Sequence, residues 1–518
     1  MLEGPTPRVA RTRAGLAAAL GAVAALLAAW LANPAEAALG DPLDPPQPNI
    51  VLIMTDDQPA STVTPEAMPN LHRRIIDPGS SFSDYIVTTP LCCPSRATTI
   101  TGQYGHNNGV LRNDYSDLIG PRNVLPRWLQ RAGYTTAHVG KFLNRYGNAA
   151  GNKTVAPGWD LWFTQFENKS YYDWKASKNG KTKTYGSADS DHLTDVTSKR
   201  AAAWANKLAK KPEPFYMQLD FYAPHGAAGR DRSCALGPVP APRDELAFIN
   251  REAPEPPSYN EADVSDKPGF IAARPLFDAA TEEQIDRRWR CTLAAMRSVD
   301  RGIGKVVRKI ERQGELERTV FMFTSDNGYF FGEHRLDRGK GYPYDENLRM
   351  PLSIRVPEEY RAAATVDPEV EEPAANIDLA PTILDFAEAS PCRREGACRT
   401  MDGRSLLPLL DGSGGWPADR AFLVELQDCQ YRGVRTGRQI YFEHGSGPLP
   451  ANGRCRPEAI EHYDVAADPF QLDNLYPAAR RSPEGELQRE LQTRIAALGR
   501  CAGIQGRDPA PASGAYCG

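Results

Sequence analysis

The chain has 518 residues, 41% hydrophobic and 24% charged, an ordinary globular composition that excludes a disordered, collagen-like or coiled-coil protein. Sixty-one basic against 65 acidic residues leave a net charge of -4, so no basic field is available to neutralise many phosphates and no nucleic-acid partner is expected. The length exceeds the roughly 250 to 300 residues at which a single core stops growing, which predicts two domains.

The chain opens with a basic stretch through Arg13, an apolar Ala/Leu run from Gly15 to Ala32, and Asn33-Pro34-Ala35-Glu36-Ala37, an A-x-A-like cleavage site. This layout predicts a signal peptide over residues 1–37. An uncleaved anchor is the competing reading, because the run sits at the lower limit for crossing a bilayer; Pro34 and small residues follow it at once. No later segment is apolar enough to span, so the expected location is secreted or extracytoplasmic, with no stable membrane insertion after cleavage. Ten cysteines suit an oxidising compartment. Cys92 and Cys93 are adjacent, and the other eight can form bridges, with Cys392 to Cys398 and Cys501 to Cys517 as local staples and the connectivity open.

After a Pro-rich joint (residues 38–48), Asn49 to Met54 is a continuous apolar run that predicts a buried parallel strand, ending at Asp56-Asp57. Leu125 to Arg131 predicts a short helix, and Tyr134 to Val139 a second strand ending at Gly140-Lys141. Phe215 to Phe221 predicts a third, ending at Ala223-Pro224-His225. Helical periodicity from Glu282 to Arg312 leads to a fourth, Thr319 to Thr324, which runs into Ser325-Asp326-Asn327-Gly328. Ligands of open α/β sheets bind outside the carboxyl ends of the strands, so the four endings are expected to meet in one crevice. Residues 226–280, rich in Pro, Ala and acids, read as a long surface excursion, and Asp378 to Ala389 as a helix. Past Cys398, short strands at Ala421 to Leu426, Tyr431 to Arg435 and Gln439 to Glu443 mark the second domain. The expected division is a catalytic domain over 49–395 and a smaller, disulfide-containing domain over 396–518.

The most specific segment is Cys92-Cys93-Pro94-Ser95-Arg96-Ala97-Thr98-Thr99-Ile100-Thr101-Gly102. It resembles the signature of the type I sulfatases, C-x-P-S-R followed by a Thr-Gly pair, whose cysteine a formylglycine-generating enzyme oxidises to formylglycine. Counting from Cys92 places Pro and Arg correctly and counting from Cys93 does not, so Cys92 is the converted residue. A hydrated aldehyde is a geminal diol: one oxygen attacks sulfur, and the second later eliminates sulfate and restores the aldehyde. The resemblance implies an alkaline-phosphatase-like α/β sandwich with a large, mostly parallel central sheet flanked by helices and a small C-terminal antiparallel sheet domain. It also implies one calcium ion per chain and hydrolysis of a sulfate monoester on a sugar or aryl group.

Asp56, Asp57, Asp326 and Asn327 offer the oxygen ligands a hard divalent cation needs, and the resemblance assigns them, with Cys92, to the calcium. By the same resemblance Arg96 holds the diol, Lys141 and Lys340 contact the sulfate, and His225 sits by the leaving oxygen. Many members carry Gly-Lys-Trp-His at the first lysine. This chain has Gly140-Lys141-Phe142-Leu143-Asn144, which resembles the N-acetylglucosamine-6-sulfatase and heparan-sulfatase branch and makes Asn144 the expected substitute for the histidine. Gly102 to Val110 resembles that branch too, with His106 expected at the substrate or, alternatively, as a structural helix-end residue. Asn376 to Thr382 and Met401 to Ser405 resemble structural elements of the family. The substrate reads as a sulfated small molecule or glycan, its pocket walls expected from residues 226–280 and loops of the second domain. Two rivals remain: a phosphonate monoester or phosphodiester hydrolase on the same scaffold, since another tetrahedral oxyanion suits the same cations, and a catalytically silent binder of sulfated glycans.

Overall fold

A computed structural model describes residues 1, 4 and 46–518, apart from 148–150, 152–153, 167–169, 228–233, 362–366, 418, 428 and 448–455. The leader, its cleavage site and most of the Pro-rich joint lie outside the described residues. Residues 1–46 are one unit, described only at those three positions, and residues 47–518 form a second compact unit.

The strands of this second unit are β1 (Asn49–Asp56), β2 (Ser80–Phe82), β3 (Tyr85–Ile86), β4 (Thr135–Gly140), β5 (Leu161–Phe166), β6 (Lys175–Lys178), β7 (Lys181–Thr184), β8 (Phe215–Pro224), β9 (Thr319–Ser325), β10 (Leu352–Arg355), β11 (Glu369–Val370), β12 (Ala374–Ala375), β13 (Ala421–Leu426), β14 (Tyr431–Thr436), β15 (Gln439–His444) and β16 (Ala459–Asp464). Ten of them form one sheet in the order β11-β2-β10-β9-β1-β8-β4-β5-β6-β7. The pairs from β9 to β5 are parallel, and antiparallel β10 and β6 flank them. The four apolar runs of the sequence are β9, β1, β8 and β4, neighbours at the middle of the sheet.

They sit there because an unbroken apolar run must be covered on both faces. Along β1, Val51 and Ile53 enter a core with the helices Leu193–Leu208 and Ala279–Glu311. Ile50 and Leu52 enter the opposite core, with the helices Cys92–Thr101, Leu125–Arg131 and Leu379–Phe386. Each such side chain contributes about 1.5–3 kcal/mol on burial. The result is a helix–sheet–helix sandwich whose four central strands point their carboxyl ends the same way.

Strands β13 to β16 form a separate antiparallel sheet. Its core is continuous with the main body: Phe422, Val424, Phe442 and Tyr463 pack in one cluster with Ile86, Tyr104, Phe330 and Tyr344. Disulfides join Cys234 to Cys291, Cys392 to Cys398 and Cys501 to Cys517, Cys429 is also bridged, and Cys92 and Cys93 are free and buried.

The 226–280 stretch is more than a surface excursion. Ser258, Glu261 and Lys267 are buried. The Ser258 carbonyl accepts from His334 N at 2.7 Å, the Asn260 N–H donates to the Gly332 carbonyl at 2.9 Å, and Arg335 Nε donates to the Glu261 carbonyl at 2.7 Å. Glu261 pairs with His334 at 2.8 Å and with Lys267 at 3.1 Å. Acidic residues that suggest solvated chain are here internal partners that strap down the turn preceding Lys340.

Candidate active site

Cys92 opens the helix Cys92–Thr101, every residue of which is buried. Pro94 is tolerated because its missing N–H falls among the first four positions, which have no intrahelical acceptor; the first bond is Ser95 N to the Leu91 carbonyl at 3.0 Å. Thr99 and Thr101 satisfy their hydroxyls on the carbonyls of Ser95 and Ala97, at 3.0 and 2.7 Å. Gly102, at φ +66°, closes the helix in the left-handed region. Cys92 therefore sits at the positive end of the helix dipole, a suitable place for an anion. Burial, reinforced by Asp56, pushes the Cys92 thiol up to about 12, so an unmodified thiol stays protonated near neutral pH and is a poor nucleophile.

Opposite this helix end, β1 delivers Asp56 and Asp57. Asp57 has φ +64°, a conformation Asp tolerates better than most residues. The end of β9 locks onto it: Asp57 N donates to Asp326 Oδ1 at 3.2 Å, Gln58 N to Ser325 Oγ at 3.0 Å, and Asn327 Nδ2 to Asp57 Oδ1 at 2.7 Å. Asp56 Oδ1 lies 3.4 Å from Cys92 Sγ, and the ligand atoms of Asp56, Asp57, Cys92 and His225 all fall within 4.8 Å of one another.

Three cations answer these acids. Lys141 bonds Asp56. Lys340 bonds Asp57 and lies 2.7 Å from Cys92 Sγ. Burial opposes ionisation of Asp56, but Lys141, His225 and Lys340 outweigh it and hold its pKa below the ordinary value; Asp57 is held low in the same way, chiefly by Lys340. Both ammonium groups are correspondingly raised, against burial, by the carboxylates. Arg96 is 1% exposed, donates from Nε to Asp326 Oδ2 at 2.7 Å and from Nη1 to the Lys141 carbonyl at 3.0 Å, and lies 3.6 Å from Asp220.

The sequence reading missed Asp220, which also accepts from His138 Nε2 and Gln218 Nε2, each at 2.9 Å. The available signal is the polar residue itself: His138, Gln218 and Asp220 interrupt the two apolar runs, His138 and Asp220 one residue before their ends. Gly140 fits the same corner, since a Cβ there would fall 1.7 Å from the Asp220 carbonyl oxygen. Only glycine lets β4 turn so that Lys141 N reaches that oxygen, at 2.8 Å.

Asp56 and Asp57 lie together with Cys92 and His225, Asp326 and Asn327 bond Asp57 beside them, and Asn327 Oδ1 is buried with no partner among the described residues. That donor set fits a hard divalent cation.

His225 donates from Nδ1 to the Gly226 carbonyl at 2.7 Å, which leaves Nε2 facing Asp57 at 3.7 Å. Burial lowers its pKa, so at neutral pH Nε2 is free to take a proton. Beside it a cavity of about 370 Å³ is lined by Lys141, Asn144, Tyr146, Gln165, Ser177 and Tyr222, among others. Among the described residues its walls come from 141–147, from β5 and β6 and from the end of β8, with none from the 226–280 stretch or the C-terminal loops. Asn144 lines this cavity, with Oδ1 buried and without a partner among the described residues. His106 is not: Nδ1 lies 2.9 Å from Glu425 and Nε2 3.2 Å from the Cys501 carbonyl. Only the doubly protonated ring serves both acceptors, so His106 ties the helix end to the C-terminal sheet, the structural alternative. Asn376, Asp378 and Asp402 are structural too. Asn376 bonds Ser95, Asp378 pairs with Arg420, and Asp402 accepts from Tyr104 N.

The sulfatase family profile matches residues 48–389, a span that contains the helix Cys92–Thr101, all four strand ends and the whole charge cluster. The chain belongs to the sulfatase family, which hydrolyses sulfuric esters. This sulfatase is 31% identical over 502 residues to an arylsulfatase of Volvox carteri, covering 88% of this chain and 75% of the relative. It is 29% identical over 510 residues to the N-acetylglucosamine-6-sulfatase of Homo sapiens, covering 89% and 86%. Among solved structures it superposes with a TM-score of 0.66, at 24% identity, on one in complex with its substrate D-glucosamine-2-N,6-O-disulfate, over 87% of this chain and 97% of the other. The fold is accordingly the alkaline-phosphatase-like sandwich.

Proposed function

We propose that the chain is an exported sulfatase that hydrolyses a sulfate monoester on a sugar, with a nucleophile made by oxidation of Cys92 to formylglycine and a calcium ion held by Asp56, Asp57, Asp326 and Asn327. The observation that carries this reading is Cys92 itself. It is kept out of any disulfide at the positive end of a buried helix, against Asp56 and Lys340, and as a thiol it is too weakly acidic to act. Once oxidised and hydrated, it supplies an oxygen that attacks sulfur and a second that expels sulfate.

The surrounding residues bind and orient. Lys141 and Lys340 bring two positive charges to the bound sulfate, where charge grows as the ester bond breaks. Arg96, braced between Asp326 and Asp220, fixes the nucleophile's side of the site. His225, with Nδ1 committed to the Gly226 carbonyl, takes a proton from water at Nε2 and passes it to the leaving oxygen as the ester bond breaks, which returns the ring to its neutral form. The cavity beside it, with aromatic Trp162 and Tyr222 and several polar side chains, is of the size and character that takes the sugar. Export is supported by the leader pattern and by the disulfides of the described residues.

The deciding experiment is mass spectrometry of the peptide containing Cys92 from protein made in its native host, paired with sulfate release from glucosamine 6-sulfate. A mass loss matching conversion of thiol to aldehyde, together with turnover, supports the reading. An intact thiol in an active enzyme overturns the nucleophile. Much faster turnover of phosphonate monoesters or phosphodiesters moves the assignment to phosphorus.

A further inference from the structure

Lysine is unevenly spread over this chain. Eight of its fifteen lysines fall between residues 175 and 211, although the net charge is -4. Four belong to the hairpin β6–β7 at the edge of the sheet, where lysine blunts edge-to-edge pairing and needs no other explanation. The other four, Lys199 among them, lie on or just past the helix Leu193–Leu208.

Between that helix and Ala279–Glu311 runs a groove of about 900 Å³, lined by Lys199, Lys305, Arg308, Lys309 and Arg312 together with two arginines that are already paired. Arg243 holds Asp195 through two bonds of 2.7 and 2.6 Å, and Arg301 holds Asp244 at 2.9 Å. Glu311, next along the helix, is taken by Arg74 at 3.0 Å. With the acids neutralised, Lys199, Lys305, Lys309 and Arg312 make no side-chain hydrogen bond or ion pair among the described residues. A helix dipole accounts for a cation or two in a last turn, but Lys199 and Lys305 lie further inside their helices.

The groove stands apart from the catalytic cleft. Each of its helices leads directly into a central parallel strand, Leu193–Leu208 into β8 and Ala279–Glu311 into β9, so both run back toward the amino ends of the strands. Lys305, Arg308, Lys309 and Arg312 lie in the last turns of Ala279–Glu311 or just past it, with Lys199 midway along the other helix, so the basic residues lean to the edge of the sheet opposite Asp57, His225 and Asp326.

We propose that this groove is a second anion-binding surface that holds a sulfated polysaccharide chain. Cations without an ion pair on successive turns match a narrow chain with regularly spaced negative charges lying along the groove. The choice of sulfate over phosphate rests on the sulfatase reading; the presence of an anion site does not.

The test is heparin binding by the full-length protein, measured by calorimetry from about 50 mM salt upward. The variants are Lys199→Glu/Lys305→Glu/Lys309→Glu and the milder triple alanine, with melting curves to verify folding. The expected result is weaker heparin binding in both triples, with the salt slope of log Kd reduced by roughly 2–3, about 0.7–0.9 per charge lost. Turnover of a small aryl sulfate should stay within twofold of the parent. Unchanged affinity in the folded triples, or no binding by the parent at low salt, overturns the proposal. So does tighter binding of duplex DNA or of anionic phosphatidylglycerol vesicles through the same lysines. A chain that releases no sulfate but binds heparin through these lysines would refute the catalytic reading and leave the groove standing.

Discussion

Lys340 Nζ bonds Asp57 and lies 2.7 Å from Cys92 Sγ, so a single ammonium joins a carboxylate of the proposed cation site to the proposed nucleophile. An interaction aimed where charge develops matters most in the transition state. Lys340→Ala is therefore expected to lower kcat by about 10²–10³-fold with the fold intact, and Lys340→Arg to recover part of the loss. Steady-state kinetics with an aryl sulfate decide the point, and an alanine variant within threefold of the parent would remove Lys340 from the mechanism.

Asp220 carries a different kind of burden. It is 1% exposed and shared by Arg96, His138 and Gln218. Asp220→Ala leaves a buried guanidinium with Asp326 as its remaining carboxylate and strands two further donors, at an expected cost of about 2–4 kcal/mol. Asp220→Asn, which can still accept from His138, should cost less. Denaturant midpoints of both variants test this, and a parent-like midpoint for the alanine would show that the brace is not structural.

Much of this was legible in the sequence because the decisive residues follow continuous apolar runs. Asn49 to Met54, Tyr134 to Val139, Phe215 to Phe221 and Thr319 to Thr324 announce buried strands, and the charges behind them announce a crevice. Asp220 and His138 were hidden by the same logic, since the strand pattern gives no weight to a polar residue inside an apolar run. Glu261 was hidden for the opposite reason: an acidic residue amid prolines looks solvated until the fold brings His334 and Lys267 to it. His106 looked chemical because a short motif cannot tell whether an imidazole faces a cleft or a distant carboxylate such as Glu425. The cavity walls were missed because β5 and β6 lack any long apolar run and owe their place to β4.

The His106–Glu425 contact has a pH signature. Burial raises the carboxylate, but His106 and Arg432 overcome it and hold Glu425 at about 2, while Glu425 raises His106 against its own burial. Glu425, depressed in the folded state, contributes stability that is full above its ordinary pKa and is lost as pH falls toward about 2. His106, raised in the folded state, contributes stability that is full below its ordinary pKa and is lost as pH rises through the folded value. The melting-temperature difference between parent and His106→Gln should thus be largest between about pH 4.5 and 6.5 and shrink on either side. A difference independent of pH would rule out the ion pair, and unchanged aryl sulfate turnover at low temperature would keep His106 outside the site.

Asn327 Oδ1 is buried beside Asp57 without a partner among the described residues, and the proposed cation would supply one. Chelation should lower both activity and the melting temperature, and calcium at a hundredfold excess over its Kd should restore about 2.7 kcal/mol. Asn327→Ala should weaken calcium binding at least tenfold by calorimetry. Melting unaffected by chelator, in protein free of metal by elemental analysis, would argue against a resident cation.

Gln165 and Ser177 separate the ester from the group that carries it. Both line the cavity beside Lys141 and His225, and Gln165 Oε1 and Ser177 Oγ have no partner among the described residues. Neither belongs to the charge cluster, so they bear on recognition rather than on sulfur chemistry. A sugar that hydrogen-bonds these groups loses those bonds on truncation, whereas a planar aryl sulfate makes few of them. The double variant Gln165→Ala/Ser177→Ala is expected to raise KM for glucosamine 6-sulfate about tenfold or more while leaving aryl sulfate kinetics within threefold. Equal losses on both substrates would instead mean that the pair supports the cluster, and no loss on either would put the sugar elsewhere.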